Sequence, residues 1–311
     1  MPEMVRAGVV GVGALGRHHA RVWAATPGAT LVGVCDTDKG RAAAVAAEHG
    51  CRVYPDLETL LAETDAVSVA VPTESHHAVA RLALEAGLDV LVEKPMTPTL
   101  AEADDLIALA EARHRVLQVG HIERFNPATE ALLAAGQGAR FVEVHRLGSF
   151  SPRSLDVDVV LDLMVHDLDI VLALDGSDPV QIEAVGVPVL TPRVDIANAR
   201  LRFASGLIAN LTASRVSVEK VRKFRVFAPK TYVSADFSAR EAQVYRLEAD
   251  AGGTPRIQTT RHGAPDQEPL RLQIVAFLRA VQDRSRPLVS GADGRRALGL
   301  ALTILERIAG H

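Results

Sequence analysis

The sequence predicts an α/β protein in which a doubly wound parallel sheet is followed by a second α+β domain with a mostly antiparallel sheet. Up to about residue 120, short apolar segments alternate with alanine-rich helical segments. After that point, strand-like segments follow one another with few helices between them. Unbroken apolar strands separated by helices are typical of a parallel sheet covered on both faces, whereas successive strands indicate antiparallel pairing. Right-handed crossovers make the first sheet doubly wound.

The first predicted domain, residues 1–120, has a regular order of elements. Its strands are VRAGVVGV, TLVGVCD, AVSVAV, LDVLVEK and RVLQVG. The helices between them are ALGRHHARVWAA, KGRAAAVAAEH, HHAVARLALEAG and TLAEADDLIALAEAR. We interpret Trp23 as part of the core beneath the first helix.

The second predicted domain, residues 121–311, begins with a short helix near 126–135 and a strand at 140–147. The apolar helix VLDLMVHDLDIV follows, and then seven strand-like segments run from QIEAVGVPVL to RIQTTR. Two helical segments, LRLQIVAFLRAVQ and GRRALGLALTILERI, end the sequence. Packing of these last helices against the first domain is also compatible with the pattern.

Composition limits the class of protein. Of 311 residues, 48% are hydrophobic and 23% charged, and the formal net charge is -4. These values indicate a globular chain and give no support for a nucleic-acid or membrane partner. Cys35 and Cys51 form neither a disulfide framework nor a zinc-binding spacing. With no secretory leader or membrane-spanning segment recognised, we expect a cytoplasmic protein.

The segment GVGALG indicates a dinucleotide-binding loop, because it follows a predicted strand and opens a helix. Such glycines permit a tight turn, close approach of a pyrophosphate, and close packing of helix on strand in a Rossmann domain. We expect the cofactor to contact Gly11, Gly13, Ala14, Leu15 and Gly16. Asp36 ends the second strand, where a carboxylate can bind the adenosine ribose and repel a 2′-phosphate. NAD is therefore favoured, and NADP remains an alternative because Arg41 could contact a phosphate.

Two further segments lie at the carboxyl ends of predicted parallel strands, the edge at which such sheets bind ligands. In VPTESHH, Thr73 and His76 could line the nicotinamide side, or the histidines could form a surface pair at a helix start. In VEKPM, we expect Glu93 and Lys94 at the cofactor edge, with Pro95 ending the strand. The ammonium group of Lys94 can hydrogen-bond a substrate hydroxyl and stabilise negative charge on its oxygen.

The helix VLDLMVHDLDIV carries acids and a histidine at helical spacing. Asp158, Asp162, His166 and Asp169 would project from one face of an α-helix. A solvated polar face, a metal site and a catalytic site are all compatible with this pattern. No second histidine stands at the usual metal-ligand offset, so we expect no metal.

These motifs together resemble the Gfo/Idh/MocA oxidoreductase family. The resemblance is carried, in order, by GVGALGRHHA, Asp36, VPTESHH, VEKPM, DLMVH and the final FLRAV and RPLVSGADGRRAL, and it spans nearly the whole chain. It implies a Rossmann domain followed by an open-faced α+β domain, and NAD(P)-dependent chemistry on sugars, inositols and related polyols. It also implies assembly into a homodimer or homotetramer through the open sheet face.

The resemblance assigns catalytic roles to Lys94, Asp162 and His166, which match the family's E-K-P and D-x-x-x-H motifs. His166 would take the hydroxyl proton as general base, since an unperturbed imidazole titrates near neutral pH. Lys94 would hold the same hydroxyl, and Asp162 would orient the substrate or the imidazole. The chain departs from the family at Met164, where many members have glycine.

The segments GHIERFNPA, residues 120–128, and VLDLMVHDLDI are similar to the nucleotide-sugar branch of the family. That branch includes enzymes that oxidise the 3-hydroxyl of UDP-N-acetylglucosamine or its uronate. Arg124 could bind a carboxylate or phosphate and Asn126 a sugar hydroxyl, although Arg124 could equally form a salt bridge at the domain hinge. The basic segment RVSVEKVRKFR could receive a pyrophosphate or be a solvated sheet edge. An inositol or free-sugar dehydrogenase, and a non-catalytic dinucleotide-binding regulator, remain alternatives.

Overall fold

The computed structural model describes residues 4–150, 157–249 and 253–310. The chain divides into two compact units. The first comprises Met1–His121 and Leu270–Arg295, and the second comprises Ile122–Pro269 and Arg296–His311. The chain therefore passes from one unit to the other three times.

The first unit contains a six-stranded parallel sheet in the order β3-β2-β1-β4-β5-β6. Its strands are β1 (Val5–Val10), β2 (Ala29–Cys35), β3 (Arg52–Val53), β4 (Ala66–Val69), β5 (Asp89–Glu93) and β6 (Leu117–Gly120). The order reverses at β1, so the sheet is doubly wound as the sequence predicts. The carboxyl ends of β1, β2, β4 and β5 carry the predicted cofactor motifs.

The helices are short to medium in length. They are α1 (Gly16–Ala24), α2 (Lys39–His49), α3 (Leu57–Ala62), α4 (His76–Glu85), α5 (Leu100–Ala112), α6 (Pro127–Ala135), α7 (Val165–Asp175), α8 (Pro269–Asp283) and α9 (Gly291–Ala309). Within the described ranges, none of them is long and apolar enough to cross a bilayer.

Local sequence explains where several first-unit helices begin. The carboxylates of Asp38 and Asp56 accept hydrogen bonds from backbone N–H groups in the first turns of α2 and α3. Thr99 and Glu102 form a reciprocal capping box at the start of α5. Each cap satisfies N–H groups that have no partner within the helix.

Trp23 on α1 lies in the core of the first unit, as predicted. It is completely buried, and its Nε1 donates to Ser68 Oγ at 2.9 Å. Its ring packs edge-on against Phe277 of α8, with centroids 6.1 Å apart. Thus α8, although distant in sequence, completes the core of this unit.

The second unit contains an eight-stranded sheet in the order β14-β13-β12-β11-β7-β10-β9-β8, in which only the β7–β10 pair is parallel. The strands are β7 (Phe141–Leu147), β8 (Pro179–Val187), β9 (Ile196–Phe203), β10 (Ile208–Ser214), β11 (Val221–Ala228), β12 (Thr231–Asp236), β13 (Glu241–Ala249) and β14 (Pro255–Gly263). The predicted mostly antiparallel sheet is confirmed.

The two faces of this sheet differ. On one, the helix-covered face, Leu132 of α6, Leu168 of α7 and Ile304 of α9 are buried together with Phe224 and Val226 of β11. The other, the open face, carries the alternate residues of each strand, which are partly or fully exposed. Strands with one buried face produce this period of two.

The helix containing Asp162 and His166 begins with a π-turn over Val160–Met164, in which Val165 N donates to Val160 O. The regular helix α7 starts only at Val165. The prediction of one α-helical face from Asp158 onward is therefore wrong, because Asp158 precedes the helix and the π-turn changes the spacing that follows. Single π-turns inside helices are frequent at functional sites.

Candidate active site

The loop after β1 turns sharply at Gly11. Its φ is +80°, and its N–H donates to Cys35 O at 2.8 Å. A Cβ here would lie 2.8 Å from Ala70 O. Both the backbone conformation and the space therefore require glycine.

Gly13 and Gly16 differ in what surrounds them. A Cβ at Gly16 would lie 1.8 Å from Gly11 O, so the third glycine lets α1 pack closely on the loop. A Cβ at Gly13 would meet only Arg41 Nη1, at 3.6 Å. The second glycine is thus not needed for packing, and its bare backbone leaves room for a ligand.

The first turn of α1, next to these glycines, has no side-chain cap. Leu15 occupies the N-cap position and has no side-chain oxygen, and the first turn contains no acid. A helix N-terminus of this kind binds anions through its N–H groups and positive dipole end. The residues of the loop therefore fit a dinucleotide pyrophosphate. Ala14 and Leu15 are exposed, as a contact with a bound cofactor requires.

Asp36 at the end of β2 is held firmly. Its Oδ2 accepts from Val12 N at 2.7 Å, and its Oδ1 accepts from Asp38 N at 2.8 Å. Arg41 Nη1 lies 3.5 Å from Asp36 Oδ2 and is also near Gly13. The carboxylate is thus fixed beside the glycine loop, with one cation next to it.

Glu93 and Lys94 follow β5. Glu93 is buried, and its Oε1 lies 3.0 Å from His19 Nε2 on α1. Burial would raise the pKa of Glu93, but the hydrogen bond and charge of His19 outweigh burial and hold the pKa below its usual range. Glu93 Oε2 also accepts from Lys94 N at 3.3 Å. This buried hydrogen bond between α1 and β5 therefore fixes the backbone that carries Lys94.

His76, at the start of α4, is buried rather than on the surface, so the surface-pair alternative is wrong for this residue. Its Nδ1 lies 2.8 Å from Pro95 O and its Nε2 lies 2.9 Å from Val71 O. Burial lowers its pKa, against the effect of these carbonyl groups. His76 thereby ties α4 to the turn after Lys94. Thr73 is half-buried in the preceding 3₁₀ turn, Thr73–Ser75.

In the second unit, Asp162 lies in the π-turn and His166 in the first turn of α7. Asp162 is half-buried and His166 is 9% exposed. The other two acids of the predicted stripe have structural contacts. Asp158 Oδ1 accepts from Val194 N at 2.9 Å, and Asp169 Oδ1 accepts from Arg124 Nη1 at 3.1 Å.

Arg124 and Asn126 have partners within the second unit. Arg124 forms a salt bridge with Asp169, and both residues belong to the second unit, whereas the alternative considered from sequence was a salt bridge at the domain hinge. Asn126 caps α6 by accepting from Ala128 N, and its Nδ2 donates to Glu123 Oε2 and Phe237 O. These contacts favour structural roles, while the predicted substrate contacts of both residues remain predictions.

A buried ion cluster next to His166 was not predicted. Arg146 on β7 donates to both oxygens of Asp167, each at 2.7 Å, and to Glu123 Oε1 at 3.0 Å. Burial opposes the charge of Arg146, but the two carboxylates raise its pKa above its ordinary value. The cluster thus clamps α7, one residue beyond His166, to the sheet.

A second buried cluster centres on Asp195. Its Oδ2 accepts from the N–H groups of residues 189–191, and its Oδ1 accepts from Thr191 Oγ1 and Arg215 Nε. Arg215 also donates to Val157 O at 2.6 Å, just before the π-turn. Arg215, part of the predicted basic segment, is therefore a buried anchor. Among the described residues, no group of three His, Cys, Asp or Glu side chains is placed to hold a metal.

Comparison with known proteins matches both units. A model of the Gfo/Idh/MocA oxidoreductase family, described as an NAD-binding Rossmann fold, matches residues 5–121, and the family's C-terminal domain model matches residues 140–234. UDP-N-acetylglucosamine 3-dehydrogenase from Acidithiobacillus ferrooxidans is 45% identical over 304 residues, covering 96% of both chains. A solved structure of that enzyme superposes with a TM-score of 0.92 at 42% identity, covering 99% of this chain and 98% of the other. Inositol 2-dehydrogenase from Rhizobium meliloti is 26% identical, covering 98% of this chain and 97% of its own.

Proposed function

Since the chain belongs to the Gfo/Idh/MocA family of NAD-binding oxidoreductases, we propose that it is a UDP-N-acetylglucosamine 3-dehydrogenase. The observation that carries the substrate assignment is the 45% identity to the Acidithiobacillus enzyme over 96% of both chains. The 26% identity to an inositol dehydrogenase supports the same reaction class with a different polyol, so inositol is the second candidate substrate.

The residues proposed to hold the dinucleotide are Gly11, Gly13, Ala14, Leu15, Gly16, Asp36, Thr73, His76, Glu93 and Lys94. When bound, the nicotinamide supplies the hydride acceptor for carbinol oxidation. The glycine loop and the N–H groups of α1 suit the pyrophosphate, and Asp36 suits the adenosine ribose hydroxyls.

We propose His166 as the general base that removes the hydroxyl proton, because neutral imidazole can accept a proton near neutral pH. Lys94 donates a hydrogen bond to the same hydroxyl and stabilises the negative charge that grows on its oxygen. Asp162 accepts a hydrogen bond from the substrate or the imidazole and so fixes orientation.

The defining experiment follows nicotinamide absorbance with UDP-N-acetylglucosamine, myo-inositol and glucose, each with NAD and with NADP. Reduction of NAD with the UDP-sugar supports the proposal. Reduction with myo-inositol alone would replace the substrate assignment but keep the reaction class. No reduction with any polyol, despite NAD binding, would indicate a non-catalytic regulator.

Substitution tests the catalytic assignment. His166→Ala should lower kcat by about 10²- to 10⁴-fold, the usual contribution of general base catalysis, with little change in NAD affinity. The matched control is His262→Ala, which removes an exposed imidazole from β14. Equal loss of turnover and NAD binding in His166→Ala would contradict the proposed role.

We also propose a homodimer or homotetramer formed through the open face. Four aromatic rings cross this face in consecutive strands: Phe141, Phe227, Tyr232 and Tyr245, with centroids 5.7, 4.9 and 5.3 Å apart. A continuous apolar strip at a partly exposed surface favours an interface. Tyr232→Lys should shift the mass measured by light scattering toward the monomer. An unchanged mass would contradict this surface assignment.

A cytoplasmic location is proposed because Cys35 and Cys51 are free thiols, as is usual in reducing compartments. Cell fractionation with a tagged full-length chain tests this location, and recovery in an extracytoplasmic fraction would contradict it.

A further inference from the structure

Strand β11 separates its basic side chains onto the two faces of the sheet. Arg222 lies on the helix-covered face, in line with the buried Phe224. Lys223 and Arg225 lie on the open face, where they contact Asp236 at 2.7 Å and Glu143 at 2.8 Å. The positive charges of adjacent residues in this strand therefore lie on opposite faces of the sheet.

On the helix-covered face, Arg222 pairs in register with Arg146 of β7. The two guanidinium groups approach the same oxygen, Glu123 Oε1, at 3.5 and 3.0 Å. The Arg146 side chain is 5% exposed and that of Arg222 is 40% exposed. Arg222 is thus the solvent-facing end of an ion chain whose buried end is Asp167, the residue after His166.

The contacts of Arg222 leave most of its hydrogen-bonding capacity unused. Among the described residues, Glu123 is its only ion-pair partner, and that carboxylate already accepts shorter hydrogen bonds from Arg146 and Asn126. A guanidinium group has five N–H donors in a planar fork that matches phosphate oxygens.

We propose that Arg222 binds the diphosphate group of the nucleotide-sugar and thereby discriminates such substrates from free sugars. This inference rests on the proposed function, since a dehydrogenase for free polyols has no diphosphate to bind. Arg222 lies on the same sheet face as α7, which carries His166, and is joined to that helix by the ion chain through Glu123, Arg146 and Asp167.

The test compares Arg222→Gln with Lys223→Gln in the full-length protein. Each variant removes one positive charge, and the two positions are adjacent in β11. Arg222→Gln removes the charge from the helix-covered face, and Lys223→Gln removes it from the open face. UDP is used as a competitive inhibitor, and KM and kcat are measured with UDP-N-acetylglucosamine. Arg222→Gln should weaken UDP inhibition and raise KM by about tenfold or more, the usual loss for a charge-assisted hydrogen bond. Lys223→Gln should change both by less than about twofold, since its charge already pairs with Asp236.

Arg222→Lys provides a check on folding, since it keeps the charge but not the planar fork and should show an intermediate KM. If the parent enzyme oxidises the UDP-sugar while Arg222→Gln leaves UDP inhibition and KM unchanged, the inference is overturned and the proposed function stands. If Arg222→Gln and Lys223→Gln weaken inhibition by UDP equally, the assignment of the diphosphate to Arg222 is also overturned. If the parent enzyme oxidises only free polyols and does not bind UDP, the proposed substrate and this inference fail together.

Discussion

The buried pair Arg146–Asp167 leads to a quantitative stability prediction. Asp167→Asn removes the negative charge of a carboxylate that accepts two 2.7 Å hydrogen bonds from Arg146. The side chains of Arg146 and Asp167 are only 5% and 2% exposed. The new asparagine side chain could still accept one hydrogen bond, but the carboxylate of Glu123, at 3.0 Å, is then the ion-pair partner that remains to Arg146 among the described residues. The variant should therefore leave a cation partly uncompensated in the interior of the second unit.

The expected cost follows from comparable buried pairs. Removing one partner of a buried ion pair destabilises a protein by about 3–5 kcal/mol. Because Glu123 still compensates part of the charge, we expect the lower end, about 3 kcal/mol. For a domain of roughly 150–250 residues, this free energy corresponds to a fall in Tm of about 6–12 °C.

Thermal and urea unfolding followed by circular dichroism measure this cost. The matched control is Asp104→Asn, because Arg295 contacts Asp104 with a similar two-point geometry, at 2.6 and 3.0 Å. Those side chains are 39% and 53% exposed, so water replaces the lost contact and no measurable change in Tm is expected. An Asp167→Asn variant as stable as the parent, or no less stable than the control, would refute the reasoning from burial.

Three further predictions concern the loop glycines, a buried acid and cofactor choice. Gly16→Ala should lower the NAD affinity and should also lower the unfolding free energy, by about 1–3 kcal/mol. Gly13→Ala should weaken NAD binding with little effect on the unfolding free energy. Equal losses of unfolding free energy in the two variants would contradict the packing argument. Burial would raise the pKa of Asp195, but its hydrogen bonds hold that pKa well below its usual range. The stabilisation by the Asp195 carboxylate is therefore complete above the unfolded pKa near 3.9 and declines as the pH falls. Asp195→Asn should lower the unfolding free energy by about 2–3 kcal/mol near pH 7, as measured by urea unfolding. A difference in unfolding free energy between parent and variant that did not narrow at lower pH would contradict this prediction. Asp36→Asn should reduce the preference for NAD over NADP by roughly tenfold in binding titrations. Arg41→Ala should weaken the binding of NADP more than that of NAD. An unchanged ratio of the two dissociation constants in both variants would contradict the role of these residues in cofactor choice.

Local sequence predicts much of the fold and the cofactor loop. The alternation of apolar strands and helices identifies the doubly wound sheet, and the spacing of Gly11, Gly13 and Gly16 identifies the turn that the structure contains. These features depend on residues close in sequence, whose period and spacing report directly on backbone conformation. For the same reason Asn126 stands at the predicted helix boundary, with α6 beginning one residue later.

Features that depend on distant pairing could not be predicted. His19 and Glu93 are separated by 74 residues, and Arg146 and Asp167 by 21, so no local pattern joins them. The only available signal was a charged residue inside an otherwise apolar segment. The π-turn before α7 was missed because its apolar residues also satisfy an α-helical period.

The discontinuous first unit has a consequence for how this chain folds during synthesis. Residues 5–121 alone lack α8 and therefore Phe277, which packs against Trp23 and helps to bury it in the complete unit. The ribosome adds about 5–20 residues per second, so roughly 7–30 s separate His121 from the emergence of α8. During that interval the nascent first unit exposes apolar surface that chaperones recognise. Tryptophan fluorescence of ribosome-bound chains stalled before and after α8 would follow the completion of this core.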